Sequence, residues 1–165
     1  MPQVNISDSN QGDLTHRGPP RPGLPRIPPY DPRMSITYHW RGEFRNAEVN
    51  ALHAEGFDHP LLDDDWRSQV ERHSLGWVCA RDGSKLVGFV NVPWDGAAHA
   101  FLIDTLVSAS HRRRGIGRGV VAVATNEARQ AGCEWLHVDF EDRLEPFYHA
   151  SCGFTLTAAG LIQLR

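Results

Sequence analysis

The chain has 165 residues, 41% of them hydrophobic and 22% charged, with a formal net charge of -3 and one lysine, Lys85. That length predicts one domain with its own core. No apolar run approaches the ~18 residues of a membrane span, so a soluble protein with no membrane partner is expected, and the acidic balance gives no general affinity for nucleic acid. Cys79, Cys133 and Cys152 are too scattered for a disulfide framework or a zinc site, and the nine histidines show no metal-helix spacing, so no metal is expected. Nothing at the N-terminus joins a basic segment to an apolar one and a small-residue cleavage site, which makes the cytoplasm the expected compartment.

Residues 1–33 hold eight of the 11 prolines and read as polyproline II or coil. Prolines remove backbone donors and few apolar residues are present to offset the ordering entropy, so a flexible Pro/Gly-rich tail is predicted, followed by a folded domain over 34–165. Ile36–Trp40 suits a first strand. Phe44 to Ala54 reads as a helix with Ala47, Ala51 and Ala54 on one face. One residue of Asp63-Asp64-Asp65 caps a second helix carrying Trp66, Val70 and His73. Trp77–Ala80 and Leu86–Val92, joined by Asp82-Gly83, read as a hairpin. His99 to Val107 is the next strand, and a long helix follows with Ile116, Val120, Val123, Ala124, Ala128 and Ala131 at helical spacing. Gly132 stops it. Glu134 to Phe140 makes a further strand, a short helix spans about Arg143 to Ser151, and Phe154–Thr157 with Leu161–Leu164 read as a terminal strand pair. The predicted order is β-α-α-β-β-β-α-β-α-β-β.

The junction before the long helix carries the chemistry. In His111-Arg112-Arg113-Arg114-Gly115-Ile116-Gly117-Arg118, Gly115 and Gly117 let the backbone approach a ligand. The orphan amides at the positive end of the helix dipole make an anion cradle suited to phosphate. Three arginines at that end repel the dipole, a conflict that a bound anion relieves.

The pattern Arg112-x-x-Gly115-x-Gly117 resembles the acyl-CoA signature of the GNAT N-acetyltransferase superfamily. Downstream, Phe147-Tyr148 followed by Gly153-Phe154 resembles that family's second motif. The likeness covers residues 34 to 165 and implies an α/β fold with a GNAT-type mixed central β-sheet flanked by helices. It also implies acetyl transfer from acetyl-CoA to a small-molecule or peptide amine. By the resemblance, the amides of Arg113, Arg114, Gly115, Gly117 and Arg118 face the pyrophosphate, with charge from Arg112, Arg114 or Arg118. Leu106 and Val107 line one side of a V-shaped slot for the pantetheine arm, and Val138 to Phe140 the other.

Tyr148 matches the family tyrosine that protonates or positions the departing sulfur; a phenol of ordinary pKa near ~10 keeps its proton at neutral pH. The family's base positions fall here on Phe101 and Ile103, which do not titrate. His99 shares their strand face, whereas Asp104 falls on the opposite one by the period of two. Glu141 and His99 are therefore the candidate bases, ahead of Glu43, His137 and Asp139. Trp40 and Trp94, near turns, are candidates for an acceptor wall. A non-catalytic acyl-CoA sensor and, from a different class, a nucleic-acid module led by His111 to Arg114 are the alternative readings. Dimerisation, common in the family, is left open as a homodimer.

Overall fold

The computed structural model describes residues 36–164; the predicted tail, 1–33, lies outside them. Its elements are β1 (Ile36–Trp40), α1 (Asn46–Phe57), α2 (Trp66–His73), β2 (Ser74–Asp82), β3 (Lys85–Pro93), β4 (His99–Val107), α3 (Ile116–Gln130) and β5 (Trp135–Val138). A turn at Asp142–Leu144 and a short π-helix over Pro146–Ser151 follow. The predicted order holds through that helix.

One five-stranded mixed sheet runs β1-β2-β3-β4-β5. The first three pairings are antiparallel and β4 with β5 is parallel. Each face of the sheet has its own core. Ile116, Val120, Ala124 and Ala128 of α3 pack with Val78, Val90, Ala100 and Leu102 on one face. On the other, Val49 and Leu52 of α1 and Trp66 and Val70 of α2 pack on Trp77, Phe89 and Leu106. The face of α1 that is buried is therefore Val49, Asn50 and Leu52, while Ala47 and Ala51 are exposed. Bulk decides this: a valine and a leucine remove more apolar surface from water than alanines do. Asn50 is buried at no loss because Trp66 Nε1 donates to its Oδ1 at 3.1 Å and its Nδ2 donates to the Asp64 carbonyl at 3.0 Å. The cap of α2 is Asp65, which accepts from Ser68 N at 3.2 Å.

Two features of β4 and β5 create the site. First, β4 pairs with β5 only from His99 to Leu102, against Trp135 to Val138, after which the strands separate. Second, the pairing of β3 with β4 shifts register between Phe89/Leu106 and Asn91/Ile103. Two residues of β4, Asp104 and Thr105, thus oppose Val90 alone, and Asp104 is left-handed at φ 54°. This is a β-bulge, and it breaks the period of two. Leu102 packs in the α3 core and Leu106 in the α1/α2 core, although four residues of strict alternation would put them on one face. Asp104 consequently faces α1, contrary to the side that alternation assigns it.

The terminal strand pair does not form. Residues 154–164 carry no strand, and Leu156, Leu161, Ile162 and Leu164 are 58–90% exposed. A three-residue hairpin connection needs a left-handed residue, usually glycine, to bring its arms antiparallel. Gly160 is not among the positive-φ glycines, so Ala158–Gly160 does not turn. The strand β5 also ends two residues earlier than predicted, because Asp139 and Phe140 leave the sheet to line the opening.

Candidate active site

Between the separated strands lies a cavity of about 950 Å³. Its walls are Leu102–Val107 of β4 on one side and Asp139, Phe140 and Glu141 after β5 on the other, with the mouth of α3 at one end. Of the residues expected to wall the slot, Leu106, Val107, Asp139 and Phe140 line this cavity and Val138 does not.

The α3 mouth follows from local backbone geometry. A single 3-10 turn at Ala109–His111 reverses the chain after β4, and Gly115 caps the helix at φ 80°. Gly119 N donates to Gly115 O at 3.0 Å, so the first-turn amides stand at the positive end of the dipole. A β-carbon on Gly117 would come within 3.2 Å of Phe147 and 3.5 Å of Val107, which would narrow the slot at the helix mouth. Arg113 adopts φ 61°, a left-handed conformation costing a non-glycine residue about 1–2 kcal/mol. The arginine is thus accommodated as a glycine would be, with strain.

The basic residues divide by task. Arg112, Arg113 and Arg118 line the cavity with His111, while Arg114 does not. The Arg112 guanidinium turns back to donate to the Val107 carbonyl at 3.2 Å and the Glu55 carbonyl at 3.4 Å, bracing the turn against α1. His111 Nε2 lies 3.3 Å from Asp82 Oδ2 and ties the turn to β2. Arg118 differs: its Nε is buried with no hydrogen-bond partner among the described residues. A buried, unsatisfied guanidinium donor beside orphan amides fits an anionic ligand such as a diphosphate.

Tyr148 stands across the slot. It is 5% exposed, stacks on Phe140 at 4.8 Å, meets Phe147 edge-on at 4.8 Å and shares a side-chain hydrogen bond with Thr105 of the bulge. Burial raises its phenol above the ordinary value, so it is protonated at neutral pH. Cys152, buried nearby, has its thiol pushed up to about 11 by burial and is no nucleophile at neutral pH.

The two candidate bases part company: Glu141 lines the cavity and His99 does not. Glu141 is at the cavity rim, ion-paired with Arg143 Nε at 2.5 Å, and the Arg143 hydrogen bond holds its carboxyl below the ordinary value. His99 is not among the cavity residues; its Nδ1 lies 2.8 Å from His137 Nε2 on the neighbouring strand, and its backbone donates to Asp95. Neither Trp40 nor Trp94 lines the cavity. Asp104 does, and sequence alternation had turned it away.

Charge is unevenly spread along the slot, with Arg143 paired to Glu141 on its far wall. His111, Arg112, Arg113 and Arg118 cluster at the helix mouth, while Asp104, Asp139 and Glu141 line other parts of the wall beside Phe57 and Tyr148. A mixed sheet that opens between two parallel strands beside the mouth of a helix defines an α/β protein with a long cleft in its sheet. The chain belongs to the acetyltransferase (GNAT) family, whose model matches residues 36–154.

Solved structures share this fold. A GNAT-family acetyltransferase from Streptococcus pneumoniae is 23% identical, with 79% of this chain and 98% of that one covered at a TM-score of 0.64. Glucosamine-6-phosphate N-acetyltransferase from Arabidopsis thaliana is 12% identical, with 78% and 97% covered and a TM-score of 0.62. The enzyme AAC(6')-Iy, solved with a bisubstrate analogue of coenzyme A and acetylneamine, is 19% identical, with 79% and 97% covered and a TM-score of 0.62. Comparison with curated proteins finds no match. Among the described residues, no helix is long and apolar enough to cross a membrane, and no group of three or more ligating side chains is arranged for a metal ion.

Proposed function

We propose that the chain is an acetyl-CoA-dependent N-acetyltransferase that passes the acetyl group directly to a primary amine of a small molecule. The observation that carries this reading is the continuity of one cavity from the α3 mouth, with its unpartnered Arg118 Nε, to the buried hydroxyl-bearing Tyr148. The diphosphate of acetyl-CoA takes the first-turn amides around Gly115 and Gly117 with Arg113 and Arg118, and the pantetheine arm lies along Leu106 and Val107. The thioester supplies an activated acyl carbon at the bulge.

Three requirements of the transfer are met there. The thioester lies along a preorganised strand, so attack is effectively unimolecular. Tyr148, protonated and tied to Thr105, gives its proton to the departing sulfur. The carboxylates Asp104 and Asp139 favour a cationic amine over a neutral or acidic acceptor. A concave site lined by Phe57, Phe140 and Phe147 supports a small acceptor in preference to an extended protein surface. AAC(6')-Iy, with its coenzyme A analogue on the same fold, is consistent with both substrates.

The test is thiol release from acetyl-CoA across ethanolamine, spermidine, glucosamine, neamine, lysine and a tripeptide, beside calorimetry with acetyl-CoA. Binding with amine-dependent thiol release is expected. Binding without turnover on any amine would favour an acyl-CoA sensor, and no binding would remove the assignment.

A further inference from the structure

Beyond the slot, a line of three polar side chains leads from its wall to the surface. Asp104 Oδ1 lies 3.5 Å from His53 Nε2 on α1, His53 Nδ1 lies 2.7 Å from His59 Nε2, and His59 Nδ1 lies 2.6 Å from the Pro60 carbonyl. The central imidazole is held by packing, with Phe57 at 4.6 Å and Trp66 at 5.1 Å, and Trp66 is itself anchored to Asn50. The side chains of His53 and Asp104 are 22% and 18% exposed, and the Asp104 side of the line opens into the cavity. We propose that Asp104 is the general base of the transfer and that His53 and His59 form a relay carrying its proton to solvent. This rests on the acetyltransferase reading and names its missing base.

The hydrogen-bond pattern forces the chemistry. A carbonyl only accepts, so His59 Nδ1 carries hydrogen and, in the neutral ring, Nε2 is a lone pair. His53 Nδ1 then donates to it, which leaves His53 Nε2 as a lone pair facing Asp104. Two acceptors facing each other repel until a proton lies between them, so the pair is set to take up the one that Asp104 removes from the amine. Moving that proton from Asp104 to His59 takes two short shifts: Asp104 gives to His53 Nε2, and His53 Nδ1 gives to His59 Nε2. The 3.5 Å step is the long one, as catalytic hydrogen bonds are before substrate tightens them. Among the charged groups, the one acting on Asp104 is His53; burial outweighs it and raises the carboxyl above its ordinary value. Asp139, Glu141 and Arg143 share the cavity, with Glu141 and Arg143 neutralising each other, and His111, Arg112, Arg113 and Arg118 stand at the helix mouth.

The step balances. The acceptor enters as an ammonium ion, and one N–H proton passes to Asp104. The freed nitrogen pair forms the bond to the thioester carbon. The C–S bond breaks with its electron pair on sulfur, which takes the Tyr148 proton, and a second nitrogen proton restores Tyr148. One proton per turnover leaves through His59.

The experiment compares Asp104→Asn, His53→Phe and His59→Gln with the wild type, using acetyl-CoA and the fastest amine of the panel above. Asp104→Asn should lower kcat about 100-fold or more, leave the acetyl-CoA KM within about 2-fold, and abolish the acid limb of the pH profile. His53→Phe and His59→Gln should lower kcat about 10-fold, with activity restored by added imidazole buffer. Variants as active as the wild type with the same acid limb, or losses that imidazole does not restore, overturn the relay alone. A wild type that is inert toward every amine overturns the acetyltransferase reading and the relay with it.

Discussion

Tyr148 gathers more aromatic contact than any catalytic role needs. It is clasped by Phe140, Phe147 and Phe154, with its hydroxyl reaching Thr105 at the bulge. That clasp separates position from chemistry, since removing the oxygen leaves the rings in place. Tyr148→Phe is therefore expected to fold normally and to lower kcat about 100-fold, with acetyl-CoA KM nearly unchanged, in steady-state thiol-release assays. An unchanged kcat would remove the phenol from proton transfer. Arg118 makes the complementary case at the other end of the slot, because its Nε has no partner among the described residues to lose. Arg118→Met should weaken acetyl-CoA binding by about 10-fold or more in calorimetry while leaving kcat at saturation close to the wild type.

At the scale of elements, α3 owes its position to how closely it lies on the sheet. Gly119, in its first turn, meets the ring of Tyr38 from β1 so closely that a β-carbon there would overlap it. Two effects compete in Gly119→Ala. Helix propensity favours alanine by about 1 kcal/mol. Overpacking costs about 1–3 kcal/mol, and here the ring is half-buried and has neighbours behind it. The overlap should prevail, and the variant should be destabilised by about 1–2 kcal/mol in urea unfolding. A gain in stability would mean that Tyr38 swings clear. The separation of β4 and β5 belongs to this scale as well: four paired residues hold the strands together, and the bulge bends β4 away beyond them.

For the whole molecule, the half-buried carboxyl at the bulge sets stability against function. Burial raises the Asp104 pKa in the folded state above its unfolded value, so the folded state binds the proton more tightly. By linkage, its contribution to stability is greatest below the unfolded value and declines as pH rises through the window up to the raised one. Asp104→Asn removes that decline, and asparagine tolerates the left-handed backbone at φ 54°. The expected outcome is a Tm at pH 7 to 8 equal to or above that of the wild type, in a variant that transfers acetyl groups poorly. A lowered Tm would mark Asp104 as part of a stabilising ion pair with His53. The opposing case is Glu48. Burial opposes its ionisation, but hydrogen bonds from Arg81 and Arg45 and their charge outweigh it and lower its pKa, so that contribution is present above the ordinary carboxylate range and is lost on acidification.

The order of elements as far as the π-helix, an aspartate cap on α2, a glycine turn opening α3 and a short helix carrying Tyr148 were legible in the amino-acid sequence. Each depends on requirements that a few neighbouring residues express: a period of 3.6 or 2, a side chain that caps, a glycine where φ is positive. Tertiary structure alone decided the face of Asp104, its line to His53 and His59, the exclusion of His99 from the cavity and the failure of the last two strand-like runs to pair. These depend on register between strands distant along the chain. The extra residue that turns Asp104 toward α1 exists only relative to Val90 across the ladder, and no local pattern in β4 announces it.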